Sequence, residues 1–275
     1  MASSNNSSLD RFFDPHHHFY DPKNNDFNKF IGQWGLKPYL PEDYKRDVID
    51  DIASIGVQLI GSIHMEVIPD NGLDEVKWVM DLIERGKAES IKGIVASVNL
   101  ADDNVDEQLK LLHDATATTK SGMLKGIRWI TDYVAPYDGK NATHVATTRV
   151  KAGGVDYIRG EDAKKFEKGF ALLEKYNLSF DLQCAPEQLP AAASLAANYP
   201  NTPVCIDHLA KPRMILGDPC KENENLVPDE KALNEWREGL KAMAQLPHVY
   251  IKISMLGFAV PGKIYLLCFM VGSQV

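Results

Sequence analysis

Strand-like and helix-like stretches follow one another along almost the whole chain. Apolar runs bearing alternate polar positions fall at Arg11–Tyr20, Leu59–Val67, Ile91–Val98, Leu124–Ile130, Leu178–Cys184, Thr202–Leu209 and His248–Ser254. Between them, apolar residues recur at helical spacing from Pro41 to about Ser54, where Gly56 stops the run, and then over Leu73–Ile83, Val105–Leu112, Glu161–Tyr176, Pro186–Ala197 and Asp229–Gln245. Thr131 to Ile158 interrupts this order as a long insertion carrying Gly, Thr and Pro, of the kind that is functional or mobile more often than structural. Strands separated by single helices predict a parallel sheet with helices outside, either a (β/α)8 barrel or an open doubly wound sheet. The second usually announces itself with a Gly-rich phosphate loop after the first strand, and none stands there.

Strand alternation also sorts the polar residues. In Asp14-Pro15-His16-His17-His18, alternation sets Asp14, His16 and His18 on one face with the two imidazoles about 7 Å apart, and turns His17 to the other. Such a pair can grip one ion or one substrate oxygen. In the second run Ser62, His64 and Glu66 share a face, and in the sixth Val204, Ile206 and His208 do, opposite Cys205 and Asp207. Polar residues therefore gather near the C-terminal ends of several strands: His16, His18, His64, Glu66, Arg128, Gln183, His208 and Lys252. That is where a barrel builds its active site. His64 reads equally well as a hydrogen-bonded core histidine, and Glu66 as a metal ligand or as half of a salt bridge.

Composition narrows the function classes. At 275 residues and 44% hydrophobic content the chain can bury one large core, and 30 Lys plus Arg against 38 Asp plus Glu give a net charge of -8 with no basic cluster. Nucleic acid and anionic membrane are excluded as expected partners, leaving a small-molecule substrate and a homo-oligomer as an open possibility. The polar start, Met1 to Ser8, lacks the apolar run of a signal peptide, so the expected location is cytoplasmic, with residues 1–10 as a disordered leader. Cys184, Cys205, Cys220 and Cys268 have no C-x-x-C spacing and read as buried reduced thiols.

Five islands in order, Asp14 to Tyr20, Gly126-Ile127-Arg128-Trp129, Leu178 to Gln183, Ile206 to Pro212 and Tyr250 to Ser254, resemble the amidohydrolase-2 branch of the amidohydrolases, which includes lactone hydrolases. The resemblance implies an α/β fold, a (β/α)8 TIM barrel over residues 11–256, and hydrolysis of a small, acidic lactone or cyclic ester. It implies His16, His18 and His208 as catalytic residues, with His16 and His18 holding zinc or another divalent metal, or holding the substrate carbonyl directly in a metal-independent member. Arg128, His64 and Lys252 would then bind substrate, the planar fork of Arg128 suiting a carboxylate. Two alternatives accompany it: an impaired isoform or paralogue that binds a metal, small acid or partner chain without turnover, and a decarboxylase on the same fold. The family's strand-8 Asp is missing, since no acidic residue follows Glu238, and residues 257–275 form an atypical apolar tail. The last β/α unit is accordingly expected to be missing or atypical, in a chain truncated relative to a longer lactonase-type gene.

Overall fold

A computed structural model describes residues 10–33, 35–117, 122–133, 155–210 and 230–254. The middle of the Thr131–Ile158 insertion, Cys220, Cys268 and the apolar tail lie outside the described residues. The chain divides into two compact units, residues up to 98 with 107–126, and residues 99–106 with 127 onwards. Seven strands are described, β1 (Asp10–His17), β2 (Val57–Met65), β3 (Ile91–Ser97), β4 (Leu124–Ile130), β5 (Ser179–Gln183), β6 (Val204–Ile206) and β7 (Val249–Ile251), in a sheet ordered as the chain runs.

In the first unit β1 pairs with β2, and β2 with β3, all parallel. The helix Gly72–Glu84 connects β2 to β3; its N-terminus is capped by Asn71, whose side chain accepts hydrogen bonds from the amides of Leu73 (2.9 Å) and Asp74 (3.3 Å). Its inner stripe of Val76, Val79, Met80 and Leu82 is buried, as the period of the sequence requires. Glu75 is buried on the same helix. The connection from β1 to β2 is helical over Pro41–Tyr44, widens to a π turn over Lys45–Ile49 and returns to α over Asp50–Ser54. Pro41 occupies the first turn, where its missing N–H costs nothing. Gly56 ends the run at φ 82°, a value only glycine adopts without strain.

In the second unit β5, β6 and β7 pair in parallel. Phe180 of β5 meets Phe166 and Phe170 of the helix Ala163–Phe170 edge to face, with ring centroids 5.6 and 5.5 Å apart. Each fully buried ring of this kind contributes about 1.5–3 kcal/mol. Gly169 lets this helix come so close that a Cβ there would lie 2.0 Å from the Leu100 carbonyl oxygen. The helices Leu189–Asn198 and Glu230–Ala244 complete the unit, with Gly239 set against the Leu189 side chain. No helix among the described residues is long and apolar enough to cross a membrane.

Two strand ends differ from the alternation pattern. β1 stops at His17, with register shifts between Phe12 and Phe13 and between Asp14 and His17. β6 stops at Ile206 instead of running on to Leu209; the chain turns through Asp207–Ala210 with His208, Leu209 and Ala210 at φ 55°, 55° and 56°. His208 therefore does not continue a strand face with Val204 and Ile206. Ladder bonds still reach the turn, since Lys252 donates its amide to the Ile206 carbonyl (2.9 Å) and Leu209 donates to the Lys252 carbonyl (3.2 Å).

Candidate functional site

The first unit holds the histidine run. Because β1 ends at His17, the backbone at His18 leaves the pleat, and the Nε2 atoms of His16 and His18 come to 3.2 Å instead of the wider spacing of a regular strand. The His18 Nδ1 lies 2.9 Å from the Met65 carbonyl oxygen at the end of β2. A carbonyl only accepts, so Nδ1 carries the proton and the Nε2 of the neutral ring presents its lone pair towards His16. Two nitrogens bound tetrahedrally to zinc at about 2.0–2.1 Å stand roughly 3.3 Å apart, so the pair fits a shared divalent ion. A carbonyl bonded to the far ring nitrogen is the usual way such a ligand is oriented.

His17 faces the other way, into the interior. Its Nε2 lies 3.0 Å from Ser62 Oγ, and its ring stacks on Tyr44 at 4.5 Å and 27°. Burial pushes its pKa down to about 4 against the upward pull of Asp14, with His18 adding a smaller push down. Tyr44 is buried, and burial, together with its hydrogen bond to Asp14, holds its phenol well above the usual range, so the hydroxyl remains a donor. It donates to one Asp14 oxygen (2.8 Å), while the other accepts the His16 amide (3.0 Å).

His64 is fully buried, accepts the Phe19 amide at Nδ1 (3.4 Å) and has Nε2 4.0 Å from Glu75 Oε1. Glu75 in turn accepts the Val67 amide (3.0 Å). Glu66, also buried, accepts the amide of Ile68, a residue held at φ 57°. The salt bridge and the metal ligation weighed for Glu66 are thus joined by a third use, fixing the turn that follows β2.

The second unit gathers four charged side chains. Lys252, just past β7, bonds Asp181 of β5 and reaches Asp207 Oδ1 at 3.1 Å, and Arg128 of β4 meets Asp207 Oδ2 through Nη1 at 3.3 Å. Asp181, Asp207 and Arg128 are buried. Burial pushes the Asp181 carboxyl up to about 6, and the neighbouring Asp207 charge adds to this while Lys252 and Arg128 oppose it. Burial pulls Lys252 down, but Asp207 and Asp181 outweigh it and leave its pKa raised. Beside this network His208 Nδ1 lies 2.8 Å from Ser254 Oγ, and Trp236 donates to the Leu209 carbonyl (2.7 Å). Gln183 donates to Asp132 (3.3 Å). Cys184 is buried, and burial pushes the Cys205 thiol up to about 12.

The sequence reading thus brings His16 and His18 together in one unit and Arg128, Lys252 and His208 in the other. It misses Tyr44, Glu75, Asp181 and Asp207 as members of these sites. A carboxylate inside an apolar strand, as in Phe180-Asp181-Leu182 or Ile206-Asp207-His208, was the available signal, because a buried charge demands a partner. Tyr44 and Glu75 sit on helices among ordinary amphipathic positions and carried no such mark.

The sequence pattern described as "Amidohydrolase" matches residues 13–263. An uncharacterized protein, y4mH of Sinorhizobium fredii, is 25% identical over 252 residues, covering 89% of this chain and 72% of that protein. An L-fucono-1,5-lactonase from Burkholderia multivorans is 30% identical over 95 residues, which is 34% of this chain and 29% of the lactonase. Among solved structures, an amidohydrolase from Burkholderia multivorans with bound zinc superposes with a TM-score of 0.58 at 22% identity, over 90% of this chain and 71% of its own. Amidohydrolase 2 from Bifidobacterium longum subsp. infantis gives 0.52 at 19%, over 89% and 73%. These structures share the α/β TIM-barrel fold expected from the sequence. With the pattern running over nearly the whole length, this chain belongs to the amidohydrolase family.

Proposed function

We propose that the protein hydrolyses a small, acidic lactone, with His16 and His18 as ligands of a divalent metal, zinc foremost. The observation that carries this reading is the 3.2 Å approach of the two Nε2 atoms with His18 oriented by the Met65 carbonyl. The partial likeness to an L-fucono-1,5-lactonase supports lactone hydrolysis, and the zinc in a structural relative supports the metal. When bound, the metal polarises a carbonyl and lowers the pKa of water.

The protein's own groups have separate tasks in this reading. A TIM barrel draws its substrate-binding groups from the C-terminal ends of its strands, so His208 is assigned to positioning a substrate carbonyl oxygen. Ser254 Oγ on His208 Nδ1 sets the ring orientation. Arg128 pairs with the substrate carboxylate, for which its planar fork is suited. Lys252 acts through Asp181 and Asp207, holding both carboxylates in place.

The test is zinc content of the purified chain by mass spectrometry, with hydrolysis of a panel of carboxylate-bearing lactones, and of neutral aldonic 1,4- and 1,5-lactones beside them, followed by acid release. The expected result is stoichiometric zinc and turnover of at least one lactone, both abolished in His18→Ala. Zinc without hydrolysis would replace the enzyme by the metal-binding, non-catalytic reading. Hydrolysis without zinc would retain the lactonase and remove the metal.

A further inference from the structure

We infer that Tyr44 is a positioning residue for the His16/His18 pair, acting through Asp14. This inference rests on the reading of those two histidines as a metal pair, and adds what sets their separation.

The argument starts from the end of β1. The two rings converge to 3.2 Å where the chain departs from the pleat, so what holds that departure also holds the pair. Asp14 is the last residue before the second register shift, and its carboxylate spans the irregularity: one oxygen accepts the His16 amide (3.0 Å) and the other the Tyr44 hydroxyl (2.8 Å). Tyr44 closes the loop from the other side by stacking on His17, whose Nε2 is tied to Ser62 of β2. The path from Tyr44 through Asp14, the His16 backbone and His17 returns to Tyr44. His16 is therefore gripped by its backbone and His17 by its ring.

Tyr44 is itself held. It is buried, it meets Phe19 edge to face at 5.7 Å, and the π turn Lys45–Ile49 begins directly after it. Such widened turns recur where a helix must re-aim a side chain at a functional site. The hydroxyl is the one polar atom of Tyr44, and its removal leaves Asp14 without the tether that fixes the carboxylate plane.

The experiment compares wild type with Tyr44→Phe, Asp14→Asn and the double variant, by zinc affinity in chelator competition, by thermal melting, and by amide exchange at His16 in zinc-free protein. Tyr44→Phe should weaken zinc binding about 10–100-fold, the usual effect of losing an outer-shell partner. His16 amide exchange should quicken by at least about tenfold in the absence of metal. Asp14→Asn should do the same, and the double variant should fall no further than the worse single one, since both act along one path. Unchanged zinc affinity and His16 exchange in a Tyr44→Phe protein that melts lower would make Tyr44 a packing residue and overturn the inference. So would additive losses in the double variant. A wild-type chain that binds no zinc would count against the metal reading alone, and the exchange measurement in zinc-free protein would still decide the role of Tyr44.

Discussion

Replacing Lys252 by Met should destabilise the second unit by an amount that grows with pH. In the wild type at pH 8 the buried network balances Arg128 and Lys252 against Asp181 and Asp207. Met is of similar length and fills the space but removes one positive charge. The surplus carboxylate has two outcomes: staying ionised without a partner, which costs about 3–5 kcal/mol, or holding its proton. The second is bounded by titration. Asp181 sits near 6 in the folded protein, above its ordinary 3.8, and the loss of Lys252, which lowers it, raises it further, so keeping it protonated at pH 8 costs at most about 1.36 kcal/mol for each of two pH units, roughly 3 kcal/mol. Below pH 6 Asp181 is already protonated, Arg128 alone balances Asp207, and the penalty falls to the lost hydrogen bonds, about 1 kcal/mol. The sign is fixed by the raised carboxyl: the folded state binds the proton more tightly, so its ionisation is a destabilising term that appears as pH rises from 3.8 through 6. Urea unfolding at pH 5 and pH 8 measures both limits. A difference between variant and wild type that is equal at the two pH values, or below about 1 kcal/mol at pH 8, would refute the buried four-charge arrangement.

Two smaller perturbations test how elements are seated. Gly169→Ala places a methyl 2.0 Å from the Leu100 carbonyl oxygen and, since the contact is backbone on backbone, should cost about 1–3 kcal/mol, seen as a lower melting temperature. Asn71→Ala removes the acceptor for the Leu73 and Asp74 amides and should cost about 1 kcal/mol, read by urea unfolding, with Asn71→Asp close to wild type.

The repeating strand and helix pattern carried the fold because periodicity reports directly on which face is buried. Ile91–Ser97 and Leu124–Ile130 came within a residue of their expected ends, and the helix Gly72–Glu84 extended its predicted stretch by one residue at each end. The site was less readable where backbone geometry departs from its element. Alternation places His16 and His18 on one face, but the register shift after Asp14, a tertiary effect of pairing with β2, and the 3.2 Å approach of the two rings leave no trace in the sequence. The turn at His208 gave no warning because Leu209 and Ala210, at φ 55° and 56°, are not glycine. Arg128 and Lys252 were readable as functional cations, but their carboxylate partners come from other strands, and long-range pairing leaves no local trace.

The turn Asp207–Ala210 also has a consequence for when the second half of the site comes into being. Three successive non-glycine residues in left-handed geometry cost roughly 1–2 kcal/mol each, so the conformation does not stand on its own. Beyond Arg128 on Asp207, the bonds described on His208 and Leu209 arrive later in the chain: Trp236 on the Leu209 carbonyl, 27 residues on, the Lys252 backbone, and Ser254 on His208, 46 residues on. A growing polypeptide therefore reaches β6 with its histidine still in an ordinary extended course. The hydrogen bond that holds the imidazole in its setting can form only once the residues after β7 have docked.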